Sequence, residues 1–447
     1  IDKHYYFYHL IPVYKEIKLL PESNRCHPED PERSEGDEGS NSRFFPFTEF
    51  ILSDSEGFRG RTCIRFFVAP AGLLRMTILI LLISFSFNAY AKEKVNMLRV
   101  CVAKNKPYIT LQIKGRYTIE TLHTKEILEK SGKSLKAKKV VPTHSGIKIG
   151  EIEFPVYAVR IIPTRGANIY INKKRFRGIV DIIRTKKKKL LLINHVDVED
   201  YLYGVLYYET PHYWPMETLM AQAIAARTYA LYRKNEMKNG DYDLTSDTYS
   251  QVYGGKAGER WRTKRAVNLT RGKVLIYKGE IFPAYYHSIC GGHTENAHMI
   301  WKTNLTPLKG RKCSYCKYAR GYHWKAMFSY KQMEERLNKY GIKTKNITYI
   351  VEGKRDRSGR LKTVRIKDTN GVKNIPSNSF RLALGGTMVK SANFTIKITP
   401  KGIIFRGKGW GHGVGMCQWG AFGMARRGFN HKQILNFYYP GAKIEKL

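Results

Sequence analysis

The sequence predicts an α+β protein, with a β-rich N-terminal module followed by a mixed helix and strand core. Three observations predict it. Residues 97–192 are short β-type runs separated by turn residues, among them LRVCVA, YITLQI, YAVRIIP and KLLLINHV. From Met216 a long alanine-rich stretch keeps helical spacing. The C-terminal part combines a loop of alternating glycines, GKGWGHGVG, with two short helical runs.

The elements follow in chain order. Residues 1–75 include CHPEDPERSEGDEGSNS, which is polar, turn-rich and aperiodic. They read as upstream sequence translated ahead of the true start, and no fold is assigned to them. Arg75-Met76, the apolar run TILILLISFSF and the small-residue end Ala89-Tyr90-Ala91 have the layout of a secretory signal peptide over 76–91. The run is short for a bilayer span. The mature chain is therefore expected outside the cytoplasm, in the periplasm or cell wall, with the signal peptide as its one membrane contact.

The β-rich module covers 92–192 and the mixed helix and strand core 193–447. Within the core, Pro215 suits a first helical turn with Glu217 near its positive end, and Met216, Leu219, Met220, Ala223, Ile224 and Ala230 form a stripe that ends by Asn239-Gly240. A further helix is expected around 259–269. The strand pair KVLIY and IFPAYYHS should follow, then a helix near 330–340. Strands ITYIVEG and LKTVRIKD flank Ser358-Gly359, and a helix begins about Gln418.

Residues 76–447 carry 68 Lys+Arg against 25 Asp+Glu. Such a field favours anionic partners. Secretion removes nucleic acid from consideration and leaves envelope polymers. A lysine-rich composition, as in KKKKLLL at 186–192, accounts for the same excess without any partner.

HExxH, GxSxG and Walker motifs are absent from the sequence. Seven cysteines, five of them after the signal peptide at irregular spacing, do not form a disulfide framework. His287, Cys290 and His293 in HSICGGHT precede Cys313 and Cys316 in CSYC, and these are ligand types that zinc prefers. Four of the five would close a structural site, whereas three would leave room for an activated water. Disulfides or free thiols are the alternative. Trp410, Trp419 and Tyr438 offer flat surfaces for sugar rings, or are core residues.

One carboxylate stands apart. Glu209 lies in YYETPHYWP, among Tyr207, Tyr208, Tyr213 and Trp214. The simple account is a glutamate near a helix start, favoured by the positive end of the dipole. The chemical account is a general acid whose proton is held by apolar neighbours, as glycosidic cleavage requires. Asp247 is a candidate second carboxylate, with Asp197, Glu199 and Asp200 as alternatives.

Four segments in this order resemble the stage II sporulation protein D family. They are LLINHVDVEDYLYGVLYYETPHYWPMETLMAQAIAARTYAL, SDTYSQVYGG, TRGKVLIYKGEIFPAYYHSICGGHTE and GKGWGHGVGMCQWGAFGMARRGFNHKQILNFYYPG. The resemblance runs from about Leu98 to the C-terminus. It implies a lytic transglycosylase that cuts peptide-free peptidoglycan strands and leaves 1,6-anhydro-N-acetylmuramic acid ends. Glu209 would be its general acid and base, with no second carboxylate needed. The family segment is usually Ser-Glu-Met-Pro; here Tyr208 and Thr210 replace the serine and methionine. On the matched motifs it implies substrate contacts from Tyr208, Trp214, Gln222, Arg227, Tyr229, Gln251, Trp410, His412 and Gln418. It also implies zinc near HSxxGG, with His287 and His293 at ligand-type positions, Cys313 and Cys316 downstream, and Cys290 as a spare or substitute. Cys417, where serine is common, is expected to be a small buried residue. Because the family includes amidase enhancers, a wall-binding role with an amidase partner is the rival to cleavage.

Overall fold

A computed structural model of the chain describes residues 96–447. The expected upstream segment and signal peptide, 1–75 and 76–91, lie outside the described residues. Among those described, no helix is long and apolar enough to cross a membrane.

The N-terminal β runs form two sheets. A seven-stranded sheet has the order Leu244–Thr245, Met97–Lys106, Leu190–Asp197, Ile179–Arg184, Ala158–Pro163, Tyr117–Thr121, Ile127–Ser131. A six-stranded sheet has Ile109–Lys114 and Leu135–Pro142 at its centre. Alternation explains their packing, since Ile109, Leu111 and Ile113 are buried along one strand while the residues between them are not. The two apolar faces share one core, with Leu111, Ile113 and Ile169 from one sheet and Val100, Val159 and Leu192 from the other. Strand Leu190–Asp197 runs through this core and on past residue 192, so the β-rich module and the segment after it share their interior.

Among the described residues seven α-helices follow. They are α1 (Val198–Glu209), α2 (Met216–Glu236), α3 (Trp261–Leu269), α4 (Tyr330–Lys339), α5 (Ser377–Leu384), α6 (Gln418–Ala425) and α7 (His431–Tyr438). Helix α1 was not foreseen, because its glycine and four tyrosines are poor helix formers. Two things override that: Asp197 caps it by accepting from Glu199 N–H, and Tyr201, Leu202, Val205 and Leu206 enter the core. Helix α2 is the pivot of the molecule. Leu219, Ala223, Ala226 and Ala230 face the first core, while Ala221, Ile224 and Ala225 face a second core with Ile289, Met416 and Leu435. Its alanines let both sides approach closely.

The expected pair of KVLIY with IFPAYYHS is cut short. Of the second run only Glu280–Ile281 pairs with Lys273–Tyr277, because Pro283 interrupts it, and the other edge of Lys273–Tyr277 pairs with Lys443–Lys446. Tyr286–His287 then pairs in parallel with Met416–Cys417. That bridge carries the end of the glycine loop towards α2. Residues 324–405 enclose a third core of their own, which includes Trp324, Phe328, Phe380, Phe394 and Phe405. Strand Gly402–Lys408 leaves this inserted module and runs directly into the glycine loop.

Candidate functional site

Glu209 is the last residue of α1, not a residue at a helix start. The dipole account is therefore reversed, since the C-terminal end carries partial negative charge and disfavours a carboxylate. The side chain is half-buried. Burial pushes its pKa up to about 7, against the pull of hydrogen bonds from Val252 N–H, Gln418 and Tyr286. Val252 N–H donates to its Oε1 at 3.2 Å.

The surroundings are a polar chain held between aromatic rings. Tyr201 hydroxyl donates to Gln251 Oε1 at 3.1 Å, and Gln251 Nε2 donates to Tyr286 hydroxyl at 2.9 Å and to Ala226 O at 3.2 Å. Tyr286, so placed, reaches the Glu209 carboxylate. Gln418, first residue of α6, donates from Nε2 to Glu209 O at 3.0 Å and lies 3.5 Å from Gln222 Oε1. Gln222 Nε2 is buried and has no partner. Three distant segments thus converge on one carboxyl: SQVYGG through Val252, IFPAYYHS through Tyr286 and GMCQWGA through Gln418.

The structure sorts the expected substrate contacts. Gln222, Gln251 and Gln418 stand around Glu209. Tyr208 sits against Gly254, where a Cβ would lie 2.2 Å from its ring, so only glycine leaves room for it. Tyr229 is half-buried, with its ring 5.9 Å from Tyr285. Arg227 is corrected. It is fully buried, with Nη2 and Nε donating to Glu199 at 2.6 and 2.8 Å, and it cannot reach a ligand. Trp214 is also core, 3 % exposed and packed on Trp419 and Phe422. His412 is a strut: its Nδ1 accepts from Val414 N–H at 3.1 Å and its ring bonds the Tyr286 backbone. Burial, with the Arg381 charge second, pushes its pKa down to about 3, so it stays neutral. Trp410 lies under Lys390, 4.5 Å from Nζ to ring centre. Tyr438 is buried, its hydroxyl 3.2 Å from Cys313 Sγ.

Sequence reasoning missed Tyr285, Tyr286 and Trp301. Tyr285 and Trp301 stack at 4.2 Å, and His412 meets the Trp301 ring edge-on at 5.1 Å. Adjacent tyrosines in IFPAYYHS were the available signal, but that segment read as a strand.

The thiol group also differs from expectation. Cys290, Cys313, Cys316 and Cys417 are buried, unpaired as disulfides, and have Sγ atoms all within 4.8 Å of one another. His287 and His293 are outside this group. His287 Nδ1 donates to Val414 O at 3.0 Å and His293 Nδ1 to Thr294 O at 2.6 Å. Cys417 takes the fourth position because the His287–Cys417 strand pairing places it beside Cys290, whose N–H donates to its sulfur at 3.2 Å. Its replacement of the family's usual serine was the signal. Four thiols suit a tetrahedral metal: sulfur–metal bonds of about 2.3 Å put sulfurs about 3.8 Å apart. The group can bind a metal ion.

A family model described as stage II sporulation protein matches residues 186–277, which contain Glu209, and a domain family of unknown function (DUF8618) matches 307–415. An uncharacterised protein of Brachyspira hyodysenteriae is 36% identical over 359 residues, 79% of this chain and 94% of its own. The amidase enhancer of Bacillus subtilis is 28% identical over 291 residues, 54% of this chain and 40% of its own. The stage II sporulation protein D of Bacillus subtilis is 30% identical over 269 residues, 57% of this chain and 76% of its own. With the motifs around Glu209 and these relatives in agreement, the chain belongs to the stage II sporulation protein D family.

Proposed function

We propose that the protein is a secreted lytic transglycosylase acting on peptide-free peptidoglycan strands. One observation carries this reading: Glu209 is a half-buried carboxyl raised to about 7, and no second carboxylate is among the groups that shift it. Asp247, the first candidate partner, instead accepts from Thr245 hydroxyl and Tyr249 N–H. Glu199 is bound to Arg227, and Asp197 caps α1.

A lone acid suits cleavage without water. Protonated Glu209 gives its proton to the glycosidic oxygen as the C1–O bond breaks. The resulting carboxylate then takes the proton of the muramoyl 6-hydroxyl as O6 bonds to C1. The product ends are 1,6-anhydro, and the glutamate returns to its protonated form. The tyrosines and Gln251 exclude water and hold the carboxyl in place.

Glu209→Gln keeps the shape and removes the transferable proton. Cleavage of denuded peptidoglycan, read by mass analysis of products, should fall by roughly 10²–10⁴-fold. Reducing muramic acid ends from the native protein would show hydrolysis instead. The relative named as an amidase enhancer supports a second reading, wall binding with stimulation of a separate amidase. Binding without cleavage of any glycan would select it.

The four thiols would hold one zinc ion per chain, closed to water and structural in role. Its chemistry there is to replace thiol protons with four metal–sulfur bonds that tie the loops of Cys290, Cys313 and Cys316 to the start of α6.

A further inference from the structure

The polar chain behind Glu209 has a direction, and Gln251 fixes it. Its Oε1 accepts from Tyr201 hydroxyl at 3.1 Å, and its Nε2 donates to Ala226 O at 3.2 Å and to Tyr286 hydroxyl at 2.9 Å. A backbone carbonyl only accepts, so the nitrogen end of the amide has to face Ala226 and Tyr286. The flipped amide would set two carbonyl oxygens against each other. Tyr201 and Gln251 are fully buried, so solvent offers them no other partner. Tyr286 oxygen thus accepts an N–H, and its own hydrogen points elsewhere. The acceptor it reaches is the Glu209 carboxylate. Donation runs one way, from Tyr201 to Gln251, from Gln251 to Tyr286 and from Tyr286 to Glu209.

The backbone holds that hydroxyl in place. Tyr286 pairs with Met416 in the parallel bridge, and the His412 ring bonds its main chain. Burial, with the Glu209 charge second, holds the phenol well above its usual range, so Tyr286 keeps its proton while it donates. The titratable groups facing Glu209 are Tyr201, Tyr229 and Tyr286. Val252 N–H and Gln418 are its other partners, and among the described residues no lysine, arginine or second carboxylate acts on it. Neutral donors are what this site has to offset a negative charge.

A hydroxyl hydrogen aimed at a carboxyl oxygen favours the charged form over the neutral one. In cleavage the charge appears as the proton passes to the glycosidic oxygen. An interaction that strengthens along that step lowers the barrier and does not merely tighten binding. We propose that Tyr286 is a second catalytic residue, whose hydroxyl, aimed by Gln251 and Tyr201, donates to Glu209 as it becomes a carboxylate. No proton leaves Tyr286: one moves from Glu209 to the leaving oxygen, and Glu209 recovers one from the 6-hydroxyl. Gln251 and Tyr201 are positioning residues that act through Tyr286. The role in turnover rests on the cleavage reading; the direction of the chain does not.

The test uses the full chain. Tyr286→Phe keeps the ring and removes the donor, and Tyr201→Phe removes the anchor two hydrogen bonds further back. Difference infrared spectroscopy reads the titration of the Glu209 carboxyl, identified as the band missing in Glu209→Gln. Its midpoint should rise by about one pH unit in Tyr286→Phe and by less in Tyr201→Phe. On denuded peptidoglycan, kcat should fall roughly 10–100-fold in Tyr286→Phe with KM unchanged, and the alkaline limb of the pH profile should move up with the midpoint. A tyrosine that only fills space would move neither the midpoint nor the limb. An unmoved or lowered midpoint in Tyr286→Phe overturns the proposal, and an unmoved midpoint in Tyr201→Phe overturns the directed chain. A raised midpoint with kcat unchanged overturns the catalytic role. If the native protein cleaves nothing, the cleavage reading fails by itself, and a raised midpoint still upholds the donor chain.

Discussion

A carboxyl at the C-terminal end of a helix, between tyrosines, is opposed in its charged form by lost hydration and by the helix dipole. For Glu209 the folded pKa, about 7, lies above the ordinary 4.5. The sign follows: the group's contribution to stability is fully present below pH 4.5 and is lost as pH rises through 7. Glu209→Gln should therefore melt above the native protein at pH 8, with the gap closing by pH 5. Thermal unfolding across that range checks it. Activity should decline above pH 7 as the acid loses its proton, so a rate that still rises at pH 9 would count against the acid role. The same Gln variant thus loses rate while gaining alkaline stability, which a merely structural glutamate would not do.

Between elements, two buried polar junctions tie distant segments together. Arg227 on α2 holds Glu199 on α1 and also donates to Lys273 O at 3.0 Å, which joins two helices and a strand. Arg227→Ala would strand Glu199 in the core and should cost about 3–5 kcal/mol. Denaturant unfolding measures this, and wall affinity per folded molecule should not change. The second junction ties the inserted module to the second core. Ser358 Oγ lies 2.8 Å from Glu295 Oε2 and 2.6 Å from Asp356 Oδ1. One hydroxyl has one proton to donate, so one of the two carboxyls must supply another. Burial pushes Glu295 up to about 7, and its bond to Asp356 adds to that; Asp356 is held low because the donors facing it outweigh its burial. Glu295 therefore keeps the proton. Its stabilisation is present below pH 4.5 and lost through pH 7, so Glu295→Gln, compared with the native protein, should flatten the fall in melting temperature between pH 5 and 8.

Across the whole molecule, the thiol centre draws on three distant segments: Cys290, the Cys313–Cys316 pair, and Cys417 at the start of α6. A metal there would fasten the second core as a cross-link does. Zinc released on denaturation should amount to one per chain, read with a chromogenic chelator. Cys417→Ser should lose it and melt earlier, whereas His287→Ala and His293→Ala should retain it. Metal lost with either histidine but kept in Cys417→Ser would restore the ligand set expected from spacing. The basic excess also acquires a location at this scale, since the face bearing Lys325, Arg406 and Lys408 is cationic by register and not by composition alone.

The sequence by itself determined the α+β class, helix α2, the candidate glutamate and three of the four cysteines of the thiol centre. Those features rest on local periodicity, composition and motif, which a linear chain displays. Tertiary structure decided the rest. Helix α1 forms because its buried face outweighs its poor propensity, and that turned Glu209 from a helix start into a helix end. Arg227 and Trp214 lie in strongly matched motifs yet are core, because burial depends on which face of α2 and its approach meets other elements. Cys417, and neither histidine, completes the thiol group because a parallel strand pairing across 130 residues places it there. No spacing rule carries that information, since such a contact is fixed only when the second core closes around it.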